Sequence, residues 1–405
     1  MNFLFVLYIG FDQHGPSVHL LKEMIRQCLE SGHHVRMIVT NHGGSDPDIP
    51  VELQHYKNLH CDVIYDKSLK KSALVKRYFQ DFRYAFLCKK IYKRYKDTDA
   101  VFLQSNPSPL IALKMLKRTL KAPVLFNVQN IFPIDAGVLH KLPTHGIKGI
   151  PYSVFRKMQQ SAYKKSDLIV TISEDMKQTL LNEKVPESKI RVIYNWSYSD
   201  EAAEIADEDN LFLRDHPELM DKFRVVFAGN LGAMVNPVLF AEAAEKMKAY
   251  SDIIFIIIGD GNNMNLLKSM AKEMNLTNMV FFPYQPKEYA RHNYAMANVN
   301  INALPKGIIT TCMPSKTSTI LNAARPMVVA VEKESSYAKI LSEVDKCVVV
   351  DWNDSKGFSD AIIHFYEENI VSESSNAREV FKSLCSVDNA KKYVECLEEL
   401  KNEAL

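Results

Sequence analysis

Phe223-Arg224-Val225-Val226-Phe227-Ala228-Gly229-Asn230-Leu231-Gly232 is an apolar run, broken once by Arg224, that stops at two glycines. It reads as a buried strand ending in a glycine-bearing turn. A helical pattern follows from Pro237 to Tyr250, and then Ile253 to Ile258 forms a second apolar run that ends in Gly259-Asp260-Gly261. Strand, turn, helix and strand in this order make a βαβ unit, which requires a parallel sheet. The pattern continues with a helix to Met274, the strand Val280-Phe281-Phe282 before Pro283-Tyr284-Gln285-Pro286, and Val299-Asn300-Ile301 before Lys306. Four successive strands thus end in glycine, amide or hydroxyl loops, the way an open parallel sheet builds a pocket along one edge.

Beyond them lies Met313-Pro314-Ser315-Lys316-Thr317-Ser318-Thr319-Ile320-Leu321-Asn322-Ala323-Ala324-Arg325-Pro326, followed by the apolar run Met327 to Val331. This reads as a short helix starting near Pro314 or Ser315, a break at Arg325-Pro326 and a buried strand. A first helical turn holding a proline, hydroxyls and one lysine offers free backbone N–H groups, the positive end of a dipole and a mobile cation, which suits a phosphate or diphosphate. The alternative is an ordinary connection, since Ser and Thr cap helices of every kind. Cys312 abuts the stretch as structural filler or as a nucleophile.

The first half repeats the architecture. Phe3 to Tyr8 is a strand, Gly10 to Pro16 a turn containing Gly15, Val18 to Ser31 a helix and Val35 to Val39 a strand. The turn lacks the full G-x-G-x-x-G spacing of a dinucleotide site. Strands at Ala100 to Leu103 and Pro123 to Val128 flank the helix Leu110 to Leu120, and the second leads into a polar loop with Asn130 and Asp135. Asp135 is placed either to act as an acceptor-side acid or base or to cap the next helix. A helix from about Tyr152 to Lys165 and strands at Leu168 to Ile172 and Arg191 to Tyr194 complete the first sheet. From Asn195 to Lys222 the apolar periodicity stops and acids gather, as in a linker.

Residues 67–96 carry many Lys and Arg interleaved with Tyr and Phe, against the single acid Asp81. Such a segment either lies on an anionic membrane surface or presents a solvated face with Phe79, Phe82 and Phe86 packed inward. The chain of 405 residues is long enough for two domains, and with 47% hydrophobic and 24% charged residues it is globular in composition. A net charge of +2 points to no nucleic-acid partner. Seven cysteines without a C-x-x-C pair imply reduced thiols and no zinc site. The apolar start lacks the marks of a signal peptide, and no run reaches transmembrane length, so a cytoplasmic location is expected.

Gly229-Asn230-Leu231-Gly232, Gly259-Asp260-Gly261, Pro283-Tyr284-Gln285-Pro286 and Met313-Pro314-Ser315-Lys316, in this order and on two α/β halves, resemble the GT-B glycosyltransferases. Within them the chain is similar to the family 4 retaining enzymes that build bacterial capsule, O-antigen and exopolysaccharide repeats. The resemblance implies an α/β fold with two Rossmann-like parallel-sheet domains facing across a cleft. It divides the chain into an acceptor-side domain at 1–195, a linker at 196–222, a nucleotide-sugar domain at 223–385 and a C-terminal helix at 386–405 that crosses back to the first domain. It implies transfer from a nucleotide diphosphate sugar, UDP-linked, to a lipid-linked or saccharide acceptor, with no cofactor and no metal. Carried over, Pro314, Ser315 and Lys316 cradle the diphosphate with Thr319 in the same turn. Asn230 and Gly232 approach its other side, Tyr284 and Gln285 border the base, and Gly15 closes from the first domain. Asp135 and Asn130 fall on the acceptor side as catalytic candidates. The departures are Asn230 and Val235 where many members have Arg and Lys, and Thr311 and Thr319 where they have Glu. Lys316, with Lys306, has to meet the diphosphate's charge. The rival readings are a nucleotide-sugar 2-epimerase, for which the second half offers only His292 and His364, and an inactive scaffold of a polysaccharide assembly complex. Where residues 67–96 lie on a membrane surface, the protein is expected on the inner face of the cell membrane.

Overall fold

The computed structural model describes the chain except for residues 12–16, 42, 44–46, 66–73, 106–108, 198–204 and 404–405, and describes only the backbone at 74–79 and 81. The chain forms two compact units, Met1–Tyr198 with Val387–Leu405, and Ser199–Ser386. No helix among the described residues is long and apolar enough to cross a membrane.

The first unit runs β1 (Asn2–Val6), α1 (Val18–Glu30), β2 (His34–Asn41), β3 (Leu59–Tyr65), α2 (Leu74–Tyr92), β4 (Ala100–Gln104), α3 (Pro109–Thr119), β5 (Val124–Val128), α4 (Ile134–Val138), α5 (Ile150–Lys165), β6 (Leu168–Thr171), α6 (Glu174–Asn182) and β7 (Ile190–Val192). Its seven strands are ordered β3-β2-β1-β4-β5-β6-β7. The pairs are parallel, with Phe5 between Met37 and Phe102. Successive side chains point to opposite faces, so the register sorts the core into two layers. Phe102 and Leu125 are register partners on one face, where Phe102 meets Tyr393. Their neighbours Leu103 and Phe126 point the other way, and there Phe126 meets Tyr163 of α5. Helix α3 packs against both α2 and α5 to complete that second layer.

The second unit runs α7 (Leu211–Asp215), β8 (Phe223–Ala228), α8 (Val238–Lys246), β9 (Ile253–Ile258), α9 (Met264–Glu273), β10 (Met279–Phe282), α10 (Ala290–Ala295), β11 (Val299–Ala303), α11 (Lys316–Ala323), β12 (Met327–Ala330), α12 (Ser336–Ser342), β13 (Cys347–Val350), α13 (Ser355–Glu367) and α14 (Ala377–Cys385). Six strands are ordered β10-β9-β8-β11-β12-β13, and the order turns back between β8 and β11. The core gathers Phe227, Phe240, Phe255, Leu267 and Phe358.

The acidic stretch differs from a linker over 205–222. Phe212, Leu213 and Leu219 are buried, and Asn210 caps α7 by accepting the N–H groups of Phe212 and Leu213. His292 Nδ1 accepts the Leu211 N–H at 3.1 Å, which ties the segment to α10. Arg224 is buried and donates to the Met296, Leu219 and Met220 carbonyls and to the Asp207 carboxylate. One of the acids that suggested a solvated tether is therefore the counter-charge of a buried cation, which would be costly to leave unpaired.

Helix α15 (Asn389–Glu403) follows the second unit in sequence but belongs to the core of the first. Tyr393, Leu397 and Leu400 are buried against α1, β4 and β5, and Trp196 meets Tyr393 with ring centroids 6.2 Å apart. Its polar groups dock as well: Asn389 donates to the Tyr194 carbonyl at 3.0 Å, and Glu398 pairs with His33 at 2.8 Å. Trp196 and Trp352, the two tryptophans, lie one in each unit. In a Trp352→Phe background, Leu397→Ala lowers the stability reported by Trp196 by about 2–4 kcal/mol, measured by denaturant titration. A fluorescence transition unmoved by the substitution would mean that α15 does not hold the first unit together.

Candidate functional site

The loops after β8, β9 and β10 and the start of α11 meet at the carboxyl edge of the second sheet, beside the point where the strand order turns back. That point is where open parallel sheets hold ligands, because adjacent connections leave in opposite directions and open a crevice. The floor of the crevice is backbone. Gly259 has φ 126°, and a Cβ there would lie 2.1 Å from the Gly229 carbonyl oxygen, so only glycine lets these two loops touch. Gly229, with φ 118°, faces Lys316, whose Cε would sit 2.7 Å from an added Cβ.

Lys316 therefore lies along the floor. Its Nζ donates to the Asn230 carbonyl at 3.2 Å and stands 4.8 Å from the centroid of the buried Phe227 ring. The ring's negative face attracts the ammonium, an interaction of about 2 kcal/mol where water is excluded. The carboxylates among the described residues form no ion pair with it, and burial lowers its pKa from 10.5 to about 8. A cation short of solvation and short of a counter-ion is poised to take an anion.

The remaining predicted residues fall as follows. Asn230 is exposed beside Lys316, and Gly232 lies under the Asn230 side chain, where a Cβ would come 3.0 Å from its Nδ2. Tyr284 is exposed on the loop after β10, with its hydroxyl 3.5 Å from the Asp260 carbonyl, and Gln285 bonds back to the Pro283 carbonyl at 3.0 Å. Ser315 is exposed at the N-cap of α11 and makes no side-chain cap. Pro314 accepts the Thr317 hydroxyl at 2.8 Å, so Thr317 turns inward to Pro314 and Tyr337. Thr319 is half-buried in α11. Lys306 points away: its Nζ lies 5.6 Å from the centroid of Trp352, just beyond β13, so it does not supplement Lys316 in this arrangement. Val235 and Thr311 are buried. Cys312 is buried with its Sγ 3.6 Å from Met234 Sδ, a packing position. Gly15 lies outside the described residues.

In the first unit Asn130 is exposed in the turn after β5, and Asp135 sits in the first turn of α4 with Oδ1 accepting the Ala136 N–H at 2.7 Å. Burial raises the Asp135 carboxyl to about 6, against the opposing effect of that bond. His292 is a backbone anchor, and His364 is exposed on α13. Among the described residues neither histidine joins a group of His, Cys, Asp or Glu able to hold a metal ion.

Sequence reasoning missed the residues that shape the floor. Asn263 donates to the Gly232 and Val235 carbonyls at 3.1 and 2.9 Å and holds the first glycine loop in place. The Tyr294 hydroxyl donates to the Ala228 carbonyl at 2.7 Å from below. The one available signal was an amide placed just after Gly259-Asp260-Gly261, where a turn needs a side chain to bond a neighbouring loop.

Two parallel-sheet Rossmann-like units of this kind make up the fold of the GT-B glycosyltransferases. Two family models match the chain, Glycosyltransferase Family 4 over residues 17–196 and Glycosyl transferases group 1 over residues 209–305. Together they span more than half of the chain, which belongs to the family 4 glycosyltransferases. The chain is 26% identical over 294 residues to the probable glycosyltransferase WbjE of Pseudomonas aeruginosa, covering 71% of this chain and 70% of that one. It is 25% identical over 229 residues to a putative colanic acid biosynthesis glycosyl transferase, WcaI, of Escherichia coli, covering 56% of each. In fold it is similar to Anabaena HepE solved with UDP and glucose, with a TM-score of 0.70 at 14% identity over 98% of this chain and 100% of that one. Sucrose-phosphate synthase from Thermosynechococcus elongatus is similar as well, with a TM-score of 0.71 at 13% identity over 98% of each chain. Lys316 lies beyond the second family match, so its place rests on the geometry alone.

The lysine's depressed pKa fixes a sign. Its folded value near 8 lies below the ordinary 10.5, so the charged form is disfavoured by folding. That penalty is fully present below pH 8 and fades as pH rises toward 10.5. Lys316→Met therefore raises the melting temperature of the ligand-free protein at pH 7, and the gain shrinks between pH 8 and 10.5, read by thermal scans across pH. A variant less stable than wild type at pH 7 would overturn the strained-cation description.

Proposed function

We propose that the chain is a retaining glycosyltransferase that moves a sugar from a UDP-linked donor to a lipid-linked saccharide acceptor in the biosynthesis of a cell-surface polysaccharide. The observation that carries the reading is the Lys316 ammonium, held over Gly229 at the turning point of the second sheet with no ion-pair partner among the described residues. A diphosphate there meets a cation, the N-terminus of α11 and the glycine-loop backbone together, which stabilises the charge that grows on the leaving group. In this reading the leaving diphosphate takes the acceptor's proton, so no strong protein base and no metal are called on. Pro314, Ser315 and Thr319 line the phosphate end, Asn230 and Gly232 the opposite loop, and Tyr284 with Gln285 the nucleoside end. Asn130 and Asp135 serve the acceptor side. A UDP donor is supported by the fold shared with HepE, whose structure holds UDP and glucose, and a polysaccharide product by the likeness to WcaI, named for colanic acid biosynthesis.

Lys316→Ala weakens UDP binding about 10- to 100-fold, the worth of one charge-assisted contact, and leaves uridine binding nearly unchanged, as measured by calorimetry. Wild type also releases UDP slowly from its donor sugar without acceptor. An equal loss for UDP and uridine would make the lysine structural. A wild type that binds UDP but turns over no donor, with or without lipid-linked saccharides, would favour the scaffold instead.

A further inference from the structure

The first unit carries a surface that the donor chemistry does not use. Its helices form two layers, and their charge differs by layer. Residues 82–96, 109–121 and 136–166, which supply α3, α5 and most of α2, contain no Asp or Glu at all. The helices of the opposite layer are mixed, with Glu23 and Glu30 in α1 and Glu395 and Glu398 in α15. Acids from flanking elements neutralise three of the cations: Asp62 pairs with Arg94, Asp167 with Lys117 and Glu183 with Arg156. Lys89, Lys90, Lys93, Lys121, Lys157 and Lys165 have no ion-pair partner among the described residues and are exposed. Lys114, Lys117, Arg118 and Lys165 together line an open concavity of about 320 Å³ between the ends of α3 and α5.

Apolar side chains lie outward on the same layer. Ile147 is 86% exposed, Ile150 57% and Val154 49%, spaced so that they share one side of the start of α5. The first two turns of that helix bury no side chain fully, so its apolar stripe faces water instead of the core. On α2, Phe82 and Phe86 are 44% and 47% exposed and lie 4.8 Å apart. Apolar side chains set among cations, with Asp81 the one acid on α2, α3 and α5, match the chemistry of a bilayer with anionic headgroups: the cations meet phosphates and the apolar stripe enters the interface.

We infer that the α2–α3–α5 layer is the face on which the protein lies on an anionic phospholipid bilayer, with Ile147, Ile150 and Val154 entering the interface and the α3–α5 concavity taking a lipid phosphate. This goes beyond the donor reading and is independent of it. The surface is broader than residues 67–96, since α3 and α5 contribute cations and α5 the longest apolar stripe.

The full-length chain is sedimented with vesicles of equimolar phosphatidylcholine and phosphatidylglycerol, and with vesicles of phosphatidylcholine alone. Wild type pellets only with the anionic vesicles and is released by raised salt, because screening shortens the reach of the charges to about 10 Å at 0.1 M. A triple variant Ile147→Ser, Ile150→Ser, Val154→Ser loses at least about tenfold in partition coefficient. Lys121→Glu, Lys157→Glu, Lys165→Glu loses at least about a hundredfold. Lys391→Glu with Lys392→Glu, on α15 of the other layer, pellets as wild type does. All the variants bind UDP as wild type does, so failure here is distinct from failure of the donor reading. A wild type that stays in the supernatant, pellets equally with both vesicles, or is matched by the two triple variants overturns the inference. Self-association lost in the serine variant, with no vesicle binding by wild type, would assign the face to a second copy and overturn it too.

Discussion

The Gly259 backbone can approach the Gly229 carbonyl only because neither residue has a side chain, and the second unit's site depends on that approach. A methyl group on Gly259 would sit 2.1 Å from the Gly229 oxygen, far inside contact distance. Because the β8 and β9 loops are pressed together, the space above Gly229 is left to the stem of Lys316. Asn263 and Tyr294 then bond the same loop from two sides. The result is a crevice floor built from main chain and fixed by side chains that point away from it. Such a floor presents dipoles to a charged ligand without reorganising. Selection among ligands must come from the exposed rim, where Tyr284, Asn230 and Ser315 stand.

Placing the lysine there has a cost that explains its usefulness. Its ammonium is held by one carbonyl and one aromatic face, which do not replace the water it has lost. In the proposed reading an arriving diphosphate relieves that deficit, so its binding gains more than the same contact would at an exposed lysine. Family members with an extra Arg and Lys spread this task over several cations. Here Val235 is buried and Lys306 leans on Trp352, so the proposed reading leaves the task to Lys316 among the described cations. Thr319, half-buried in α11, is neutral where many family members carry a carboxylate. Loss of the acid and loss of the extra cations are thus compatible in charge.

The elements that sequence made legible are those whose local chemistry has few alternatives. Strands β8 and β9 are nearly unbroken apolar runs buried on both faces, and the glycines after them are required by positive φ and close approach. Two of the four edge strands escaped. β3 reads Leu-His-Cys-Asp-Val-Ile-Tyr and is half exposed, and β13 is four residues long, so neither gives a clear period. The segment 205–222 misled because its acids were counted as solvated, while Asp207 faces the buried Arg224 and Phe212 supplies a core side chain. Composition cannot distinguish a solvated acid from a paired one. Asn130 and Asp135 were proposed from their place at a strand end, and the structure adds only that the acid is raised toward 6 by burial and bonds its own helix. The outward apolar stripe of α5 was hidden for the opposite reason: its helical pattern is sound, and only the packing reveals that the apolar side faces water.

The charge of the two helical layers in the first unit is not something the fold demands. Both layers cover the same parallel sheet and bury comparable aromatic contacts, Tyr163 on Phe126 in one and Tyr393 on Phe102 in the other. The α1 helix satisfies its surface with the Arg26 pairs to Glu23 and Glu30, which support a helix at spacings of three and four. The α2–α3–α5 layer, with Asp81 its one helical acid, instead keeps like charges at helical spacing, as Lys114 with Arg118 on α3. Each such pair costs about 0.2–0.5 kcal/mol in an isolated helix. Exchanging a few lysines for glutamates would remove that repulsion with no change in the core. A surface that keeps the repulsion and also exposes Ile147 and Ile150 is less stable in water than its own opposite layer shows to be attainable. Against an anionic, partly apolar boundary the same features become favourable, since each cation then contributes about 1 kcal/mol of attraction and the isoleucines leave water.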